Sequence, residues 1–237
     1  MNRASVPRQH HPWLLLFKGH PGTGKSTLAR LVARGLDVPL VDKDDARDAL
    51  SAHSALASVP ASALNDASYD IMFNMVETQL QLGLSCVVDC PLARRSLFDR
   101  AVNLVRRVYR GSSLHSPSPS PSPSPSVGVG VSPRVMVVEC WAHEDVWQAW
   151  VEERAGEIQA GTIRSTAGHK PQTWNEVQAL VAGYGGGDTW THPFPHEAYP
   201  DVAIEFLSIC TSRGGKGTDF HALAETVKQQ IGEGRTG

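Results

Sequence analysis

Residues 13–34 read WLLLFKGHPGTGKSTLARLVAR. The apolar run Trp13 to Phe17 predicts a buried strand. Gly19 to Ser26 fits G-x-x-x-x-G-K-[ST], and Thr27 to Arg34 continues as a helix with Leu28, Leu31 and Val32 on its apolar side. Strand, glycine loop and helix in that order make the phosphate-binding P-loop, the Walker A sequence. Gly22 and Gly24 allow the backbone to turn sharply and aim successive N–H groups at phosphate oxygens, in a concavity that a Cβ would obstruct. The helix opening at Lys25 adds the positive end of its dipole. Gly19, His20, Pro21, Gly22, Thr23, Gly24, Lys25, Ser26 and Thr27 are therefore the candidate triphosphate cradle. Lys25 supplies a mobile charge for the β- and γ-phosphates, Ser26 a hydroxyl for the bridging Mg²⁺, and Thr27 a donor to the neighbouring phosphate.

Working outward, a chain of 237 residues fits one α/β domain. We expect that domain over 13–231, with flexible tails at 1–12 and 232–237. Lys and Arg number 22 against 24 Asp and Glu, so no basic excess advertises a long nucleic-acid footprint. Cys86, Cys90, Cys140 and Cys210 lack zinc-like pairing and are expected as buried, reduced core residues. The segment MNRASVPRQHH is too short for a signal sequence, and no apolar run approaches membrane-spanning length, so a cytoplasmic location is expected, with an organelle left open.

After the P-loop helix, which Gly35 is expected to close, Val38 to Val41 reads as a second strand running into Asp42-Lys43-Asp44-Asp45-Ala46-Arg47. Charge at a strand's carboxyl end belongs in the crevice where open α/β sheets bind ligands. Leu64 to Leu82 is a helix with Leu64, Ile71, Met72, Met75, Val76 and Leu80 inward, the methionines as core filler, and Gly83 as its stop. Ser85 to Asp89 is the third strand. Arg94 to Arg110 is a helix burying Leu97, Ala101, Leu104, Val105 and Val108, its arginines forming a solvated face. The Ser-Pro alternation from Ser116 to Ser126 excludes sheet and helix, and 112–133 is expected as a disordered insertion. Arg134 to Glu139 is the fourth strand, and Asp145 to Glu157 a helix with Val146, Trp147, Trp150 and Val151 on one face. Thr173 to Glu176 reads as a capping box opening a helix through Tyr184. His192 and His196 are separated by prolines and read as loop. Val202 to Cys210 is the fifth strand, and Thr218 is expected to cap the last helix.

Five strands alternating with helices require right-handed parallel crossovers. The expected fold is a five-stranded, parallel, doubly wound sheet of the nucleoside- and nucleotide-kinase type, with the P-loop strand near its centre and a helical lid. A P-loop alone specifies nucleotide, not chemistry. No N-K-x-D guanine reader is present, and Asp89 is followed by Cys90 where a motor or transport ATPase would carry Glu; both absences point away from water as the acceptor.

The G-x-P-G-[ST]-G-K-[ST]-T loop, the Asp44-Asp45-Ala46-Arg47 run after strand two, Asp89 closing strand three and the arginine-bearing segment after strand four resemble the polynucleotide-kinase-like and zeta-toxin-like P-loop kinases. Adenylylsulfate kinases and chloramphenicol phosphotransferases are similar in the same places. The resemblance implies ATP as donor, Mg²⁺ as cofactor, and a small metabolite or a nucleic-acid 5′-hydroxyl as acceptor. It implies Asp44 as general base and Arg47 as the clamp on an anionic group of the acceptor. Asp44 and Asp45 also suit the N-terminus of the next helix, and capping is the competing explanation for that cluster. Asp89 has two readings, a water-mediated Mg²⁺ partner or an acceptor-binding carboxylate. Arg154 matches the family's catalytic lid arginine, Arg164 is a second lid candidate contacting the nucleotide, and His169 and Lys170 are weaker ones. The competing class is a nucleotide-binding regulatory protein or a slow ATPase with no dedicated acceptor. No obligate protein partner is readable.

Overall fold

The structure is a computed structural model, and it describes residues 12–113, 133–161, 170–184 and 198–233. Strands β1 (Trp13–Lys18), β2 (Leu40–Asp42), β3 (Cys86–Asp89), β4 (Arg134–Trp141) and β5 (Ala203–Cys210) form one parallel sheet in the order β2-β3-β1-β4-β5. The P-loop strand is central, as expected.

Its continuous apolar run follows from burial on both faces. Leu14 and Leu16 point into one core, with helices α3 (Ala61–Gln81) and α4 (Arg95–Ser113). Trp13, Leu15 and Phe17 point into the other, with α1 (Lys25–Leu36) and α7 (Phe220–Glu233). Strand β4 repeats the division, Val135 and Val137 against Met136 and Val138. The sheet is thereby doubly wound, and every strand delivers its carboxyl end to the same edge.

Several local expectations change. Helix α1 does not stop at Gly35. It runs on to Leu36, and Asp37 takes the left-handed conformation at φ 55°. The glycine instead allows close approach of α7: a Cβ at Gly35 would lie 3.0 Å from Lys228 Cδ. The cap of α7 is Asp219, whose carboxylate accepts from the His221 and Ala222 amides, while the Thr218 hydroxyl donates to the Gly215 carbonyl. Ile71 and Met75 are exposed, because the inward stripe of α3 runs through Leu64, Tyr69, Met72, Phe73, Val76 and Leu80. Cys86, Cys90 and Cys140 are buried thiols, whereas Cys210 is half-buried.

The arginines of α4 are not a bare solvated face. Arg100 and Arg107 pair with Asp70 and Glu77 of α3, Arg94 just before α4 pairs with Asp66, and Arg106 and Arg110 reach Asp201. Helix α4 extends to Ser113, into the first residues of the expected insertion. The Ser-Pro alternation, the N-terminal segment 1–11, Arg164, His169, His192 and His196 lie outside the described residues. Among the described residues no helix is long and apolar enough to cross a membrane.

Candidate active site

At the carboxyl edge of β1 the chain turns through the cradle on three positive-φ glycines. Gly22 has φ 85° and Gly24 φ 78°, and Gly24 is the residue that opens α1. Neither admits a side chain. A Cβ on Gly24 would lie 2.6 Å from the Phe220 ring, and one on Gly22 would lie 2.8 Å from Val151. Gly19 and Thr23 stabilise the loop from behind. The Gly19 amide donates to the Pro91 carbonyl at 3.3 Å, and the Thr23 hydroxyl donates to the His20 carbonyl at 2.8 Å. Buried Thr211, just past β5, donates to the Thr23 carbonyl at 2.6 Å and the Trp141 carbonyl at 2.9 Å, tying the loop to two strand ends.

Above the loop lie α5 (Glu144–Gln159) and α6 (Trp174–Gly183), the latter opened by the expected Thr173–Glu176 capping box. Trp147 of α5 donates its indole N–H to the Pro21 carbonyl at 2.8 Å. The His20 ring packs nearly parallel to Trp147 and to Tyr184, with centroids 5.6 and 5.7 Å away. Burial, followed by the charge of Lys18, holds the His20 imidazole below its ordinary pKa. Neutral His20 therefore serves as a spacer between the cradle and both lid helices.

One cavity of about 1000 Å³ spans this edge. Its walls bring together His20, Pro21, Gly22, Gly24, Lys25, Ser26 and Thr27 of the cradle with Asp44, Arg47 and Arg154. Asp42 ends β2 in register with Asp89 at the end of β3, and its carboxylate caps α2 (Lys43–Ala52) by accepting the Asp44 amide at 2.9 Å. This cap holds Asp44 at the mouth of the crevice. Asp44 faces the cavity, with one oxygen 2.9 Å from Lys43 Nζ and the other 2.8 Å from Lys170 Nζ. Arg47, buried at 6% exposure, lies one turn further along the same helix. Arg154 donates to the Pro171 carbonyl at 2.6 Å; burial lowers its pKa against the opposing pull of Asp44.

Lys25 is buried and ion-paired with Asp89. Burial alone would lower its pKa, but the charge and hydrogen bond of Asp89 outweigh that and raise it. The other Asp89 oxygen is buried with no hydrogen-bond partner among the described residues. A buried carboxylate oxygen left open next to the P-loop lysine fits Mg²⁺, which takes one or two protein oxygens and completes its shell with substrate phosphates and water. Asp89 is ion-paired with Lys25 and is not among the residues lining the cavity.

Four contributors escaped the sequence reading. Asp42 appeared there only as strand-end charge, and Thr211, the residue after the fifth strand, was not named. Tyr69, on the cavity wall with Asn65, was not singled out on α3. Phe220 lies on α7, and its contact with Gly24 depends on how that helix packs.

The family model described as AAA domain matches residues 14–169. No curated protein matches the chain. Among solved structures, a candidate kinase from Chloroflexus aurantiacus is similar at 19% identity, covering 94% of this chain and 98% of that one with a TM-score of 0.56. Kti12 from Chaetomium thermophilum in complex with ADP-AlF3 is similar at 13% identity, with coverages of 90% and 97% and a TM-score of 0.51. Shikimate kinase from Acinetobacter baumannii in complex with shikimate is similar at 14% identity, with coverages of 95% and 96% and a TM-score of 0.51. At these identities the likeness establishes the fold.

Proposed function

Since the chain belongs to the AAA domain family, we propose that it is an ATP- and Mg²⁺-dependent kinase, of the polynucleotide-kinase-like and zeta-toxin-like kind, that transfers the γ-phosphoryl group to a hydroxyl acceptor. The acceptor is a small molecule or a nucleic-acid end. The observation carrying this reading is that Asp44 shares one cavity with Lys25, Ser26 and Thr27. A nucleotide hydrolase needs the cradle and a water. A carboxylate held across the cavity by its own strand-end cap, with Arg47 on the same helix, suits an acceptor larger than water.

In this reading Lys25 exchanges its ion pair with Asp89 for the β- and γ-phosphates, and Thr27 donates to the adjacent phosphate. Ser26 and the freed Asp89 carboxylate would hold Mg²⁺, which would offset the phosphate charge. Asp44 accepts the acceptor's hydroxyl proton and aligns its oxygen with the γ-phosphorus. Arg47 binds the acceptor. Arg154, desolvated and facing the cavity, stabilises charge on the transferring group as the lid closes, with Arg164 a second lid donor.

The test measures ADP release and label transfer from ATP with Mg²⁺ across a panel of hydroxyl acceptors, in wild type and Asp44→Asn. The variant should bind nucleotide as wild type does and lose transfer by about 100-fold or more. Equal turnover would remove Asp44 from the mechanism, and ADP release indifferent to every acceptor would favour an ATPase.

A further inference from the structure

We infer that Asn65 and Tyr69, on one face of α3, bind a second hydroxyl of the acceptor, and that the acceptor is a neutral polyhydroxylated small molecule, a sugar or a polyol. This acceptor class presupposes the kinase reading of the site and narrows it.

Helix α3 brings Ser62, Asn65 and Tyr69 to the cavity wall at intervals of three and four residues, the spacing of one helical face. All three are neutral. Tyr69 is buried at 6% exposure, yet its hydroxyl has no hydrogen-bond partner among the described residues and is not one of the unpartnered polar atoms sealed from solvent. Its opening is the cavity that it lines. A buried Tyr O–H ordinarily finds a partner, so this one is left to a ligand. Burial also raises its pKa above the ordinary phenol range, and the group stays a neutral donor and acceptor. The ring is steadied by two cations, with Lys43 Nζ 5.5 Å and the Arg94 guanidinium 5.6 Å from its centroid.

Lys43 ties these groups to Asp44. Its ammonium lies 2.9 Å from an Asp44 oxygen and donates to Asn65 Oδ1 at 3.3 Å. An ammonium only donates, so it holds the carboxamide oxygen of Asn65 and leaves the NH₂ group as a donor with no partner among the described residues. Asp44 and Asn65 thus share one ammonium, a span that a single small molecule bridges, with its reacting hydroxyl at Asp44 and the next at Asn65 and Tyr69. A hydroxyl suits that pair, because it accepts from the Asn65 amide while donating to the Tyr69 oxygen.

The walls ask for no net charge. Of the cations lining the cavity, Lys25 pairs with Asp89, Arg30 with Asp42, Lys43 and Lys170 with Asp44, and Arg94 with Asp66. Arg47 and Arg154 remain, and Glu153 and Glu157, one turn apart on α5 and on the same walls, equal them in number. Those two carboxylates meet no cation or side-chain donor among the described residues, so they accept from further ligand hydroxyls and disfavour an added anion. The cavity of about 1000 Å³ must hold the nucleotide as well, which leaves room for a small acceptor only.

The test is a transfer assay with Mg²⁺ and labelled ATP on glycerol, ribitol, glucose and myo-inositol, each beside the monohydric alcohol of equal carbon number, with gluconate and a 5′-hydroxyl oligonucleotide alongside. Wild type should phosphorylate at least one polyol with kcat/KM about 100-fold or more above its monohydric counterpart. For that polyol Tyr69→Phe should raise KM about tenfold and lower the polyol-to-alcohol ratio by the same factor. Asn65→Asp, which keeps an oxygen for Lys43 and removes the NH₂ donors, should do likewise. Because the phenol hydroxyl has no internal partner, Tyr69→Phe should match wild type in melting temperature and in affinity for Mg²⁺-ATP. An unchanged polyol-to-alcohol ratio in Tyr69→Phe, a melting loss of several degrees in that variant, or transfer to no polyol by protein that binds β,γ-imido-ATP each overturns the acceptor assignment and leaves the kinase reading standing. Faster transfer to gluconate than to glucose, or to the oligonucleotide than to any polyol, overturns it in the same way. Failure of β,γ-imido-ATP to bind overturns the kinase reading beneath it.

Discussion

The two ends of the cavity are built from different materials. At the phosphate end the cradle is backbone, turned by Gly22 and Gly24 and fixed by buried hydroxyls, Thr23 onto His20 and Thr211 onto Thr23. At the acceptor end the groups are long charged side chains from α2, α5 and the segment before α6, met around Asp44. Backbone donors aimed by a strand end and a helix start recognise a ligand common to many proteins. Side chains converging from separate elements can be exchanged one at a time, so on the proposed kinase reading the acceptor end is where specificity would reside. The two are joined by Asp42 and Asp89, in register at the ends of β2 and β3, one capping the helix of Asp44 and the other holding Lys25.

Removing Lys25 should have the largest effect and should confine it to the phosphate end. Lys25→Ala is expected to cut phosphoryl transfer by roughly 10²–10³-fold. It also leaves Asp89 buried without its cation, so its melting temperature should fall, an effect a mobile surface lysine would not produce. If nucleotide affinity and melting are both unchanged in a fluorescence titration and a thermal scan, the phosphate end is not organised around this pair.

The junction is tested by pH. Asp42 is pushed up to about 6, by burial first and then by the charge of Asp89, from 3.8 in the unfolded chain. Between these values the folded protein binds a proton more tightly than the unfolded chain, so stability from this group is greatest below about pH 4. It falls as pH rises through about 6, and levels off above. The fall is on the order of 2–3 kcal/mol. Asp42→Asn keeps an acceptor for the Asp44 amide and removes the titration. In urea unfolding it should gain on wild type as pH rises from 4 to 7, and a constant difference between the two would break the link.

Lys170→Ala should have the smallest effect and should touch only the acceptor end. Losing a partly exposed ion pair to Asp44 should lower kcat about 3- to 10-fold without changing the affinity for Mg²⁺-ATP. An equal loss of nucleotide affinity would show that the two ends are not separable.

The same contrast governs what could be read in advance. The strands, the P-loop and the helices of the core were legible because each is written locally, by an apolar run, a glycine spacing or a 3.6-residue stripe. Errors fell where a neighbour decides. Gly35 looked like a helix stop and is a contact point for α7; Met75 fitted the stripe and is exposed; Thr218 looked like a cap and yields to Asp219. The α4 arginines gave no sign of their partners on α3, since ion pairs between helices leave no trace in either sequence alone.

From sequence alone came the class of fold, the glycine loop between β1 and α1 proposed as the phosphate cradle, and Asp44 and Arg47 as the group to examine beyond it. Tertiary structure alone decided that Asp42 and Asp89 stand side by side, that Thr211 and Phe220 brace the cradle, and that Lys170 meets Asp44 while Arg47 meets no carboxylate among the described residues. The division has a physical cause. Backbone conformation is set by neighbours in the chain, whereas the balance of charge in a cavity is a sum over elements that meet only after the chain has folded.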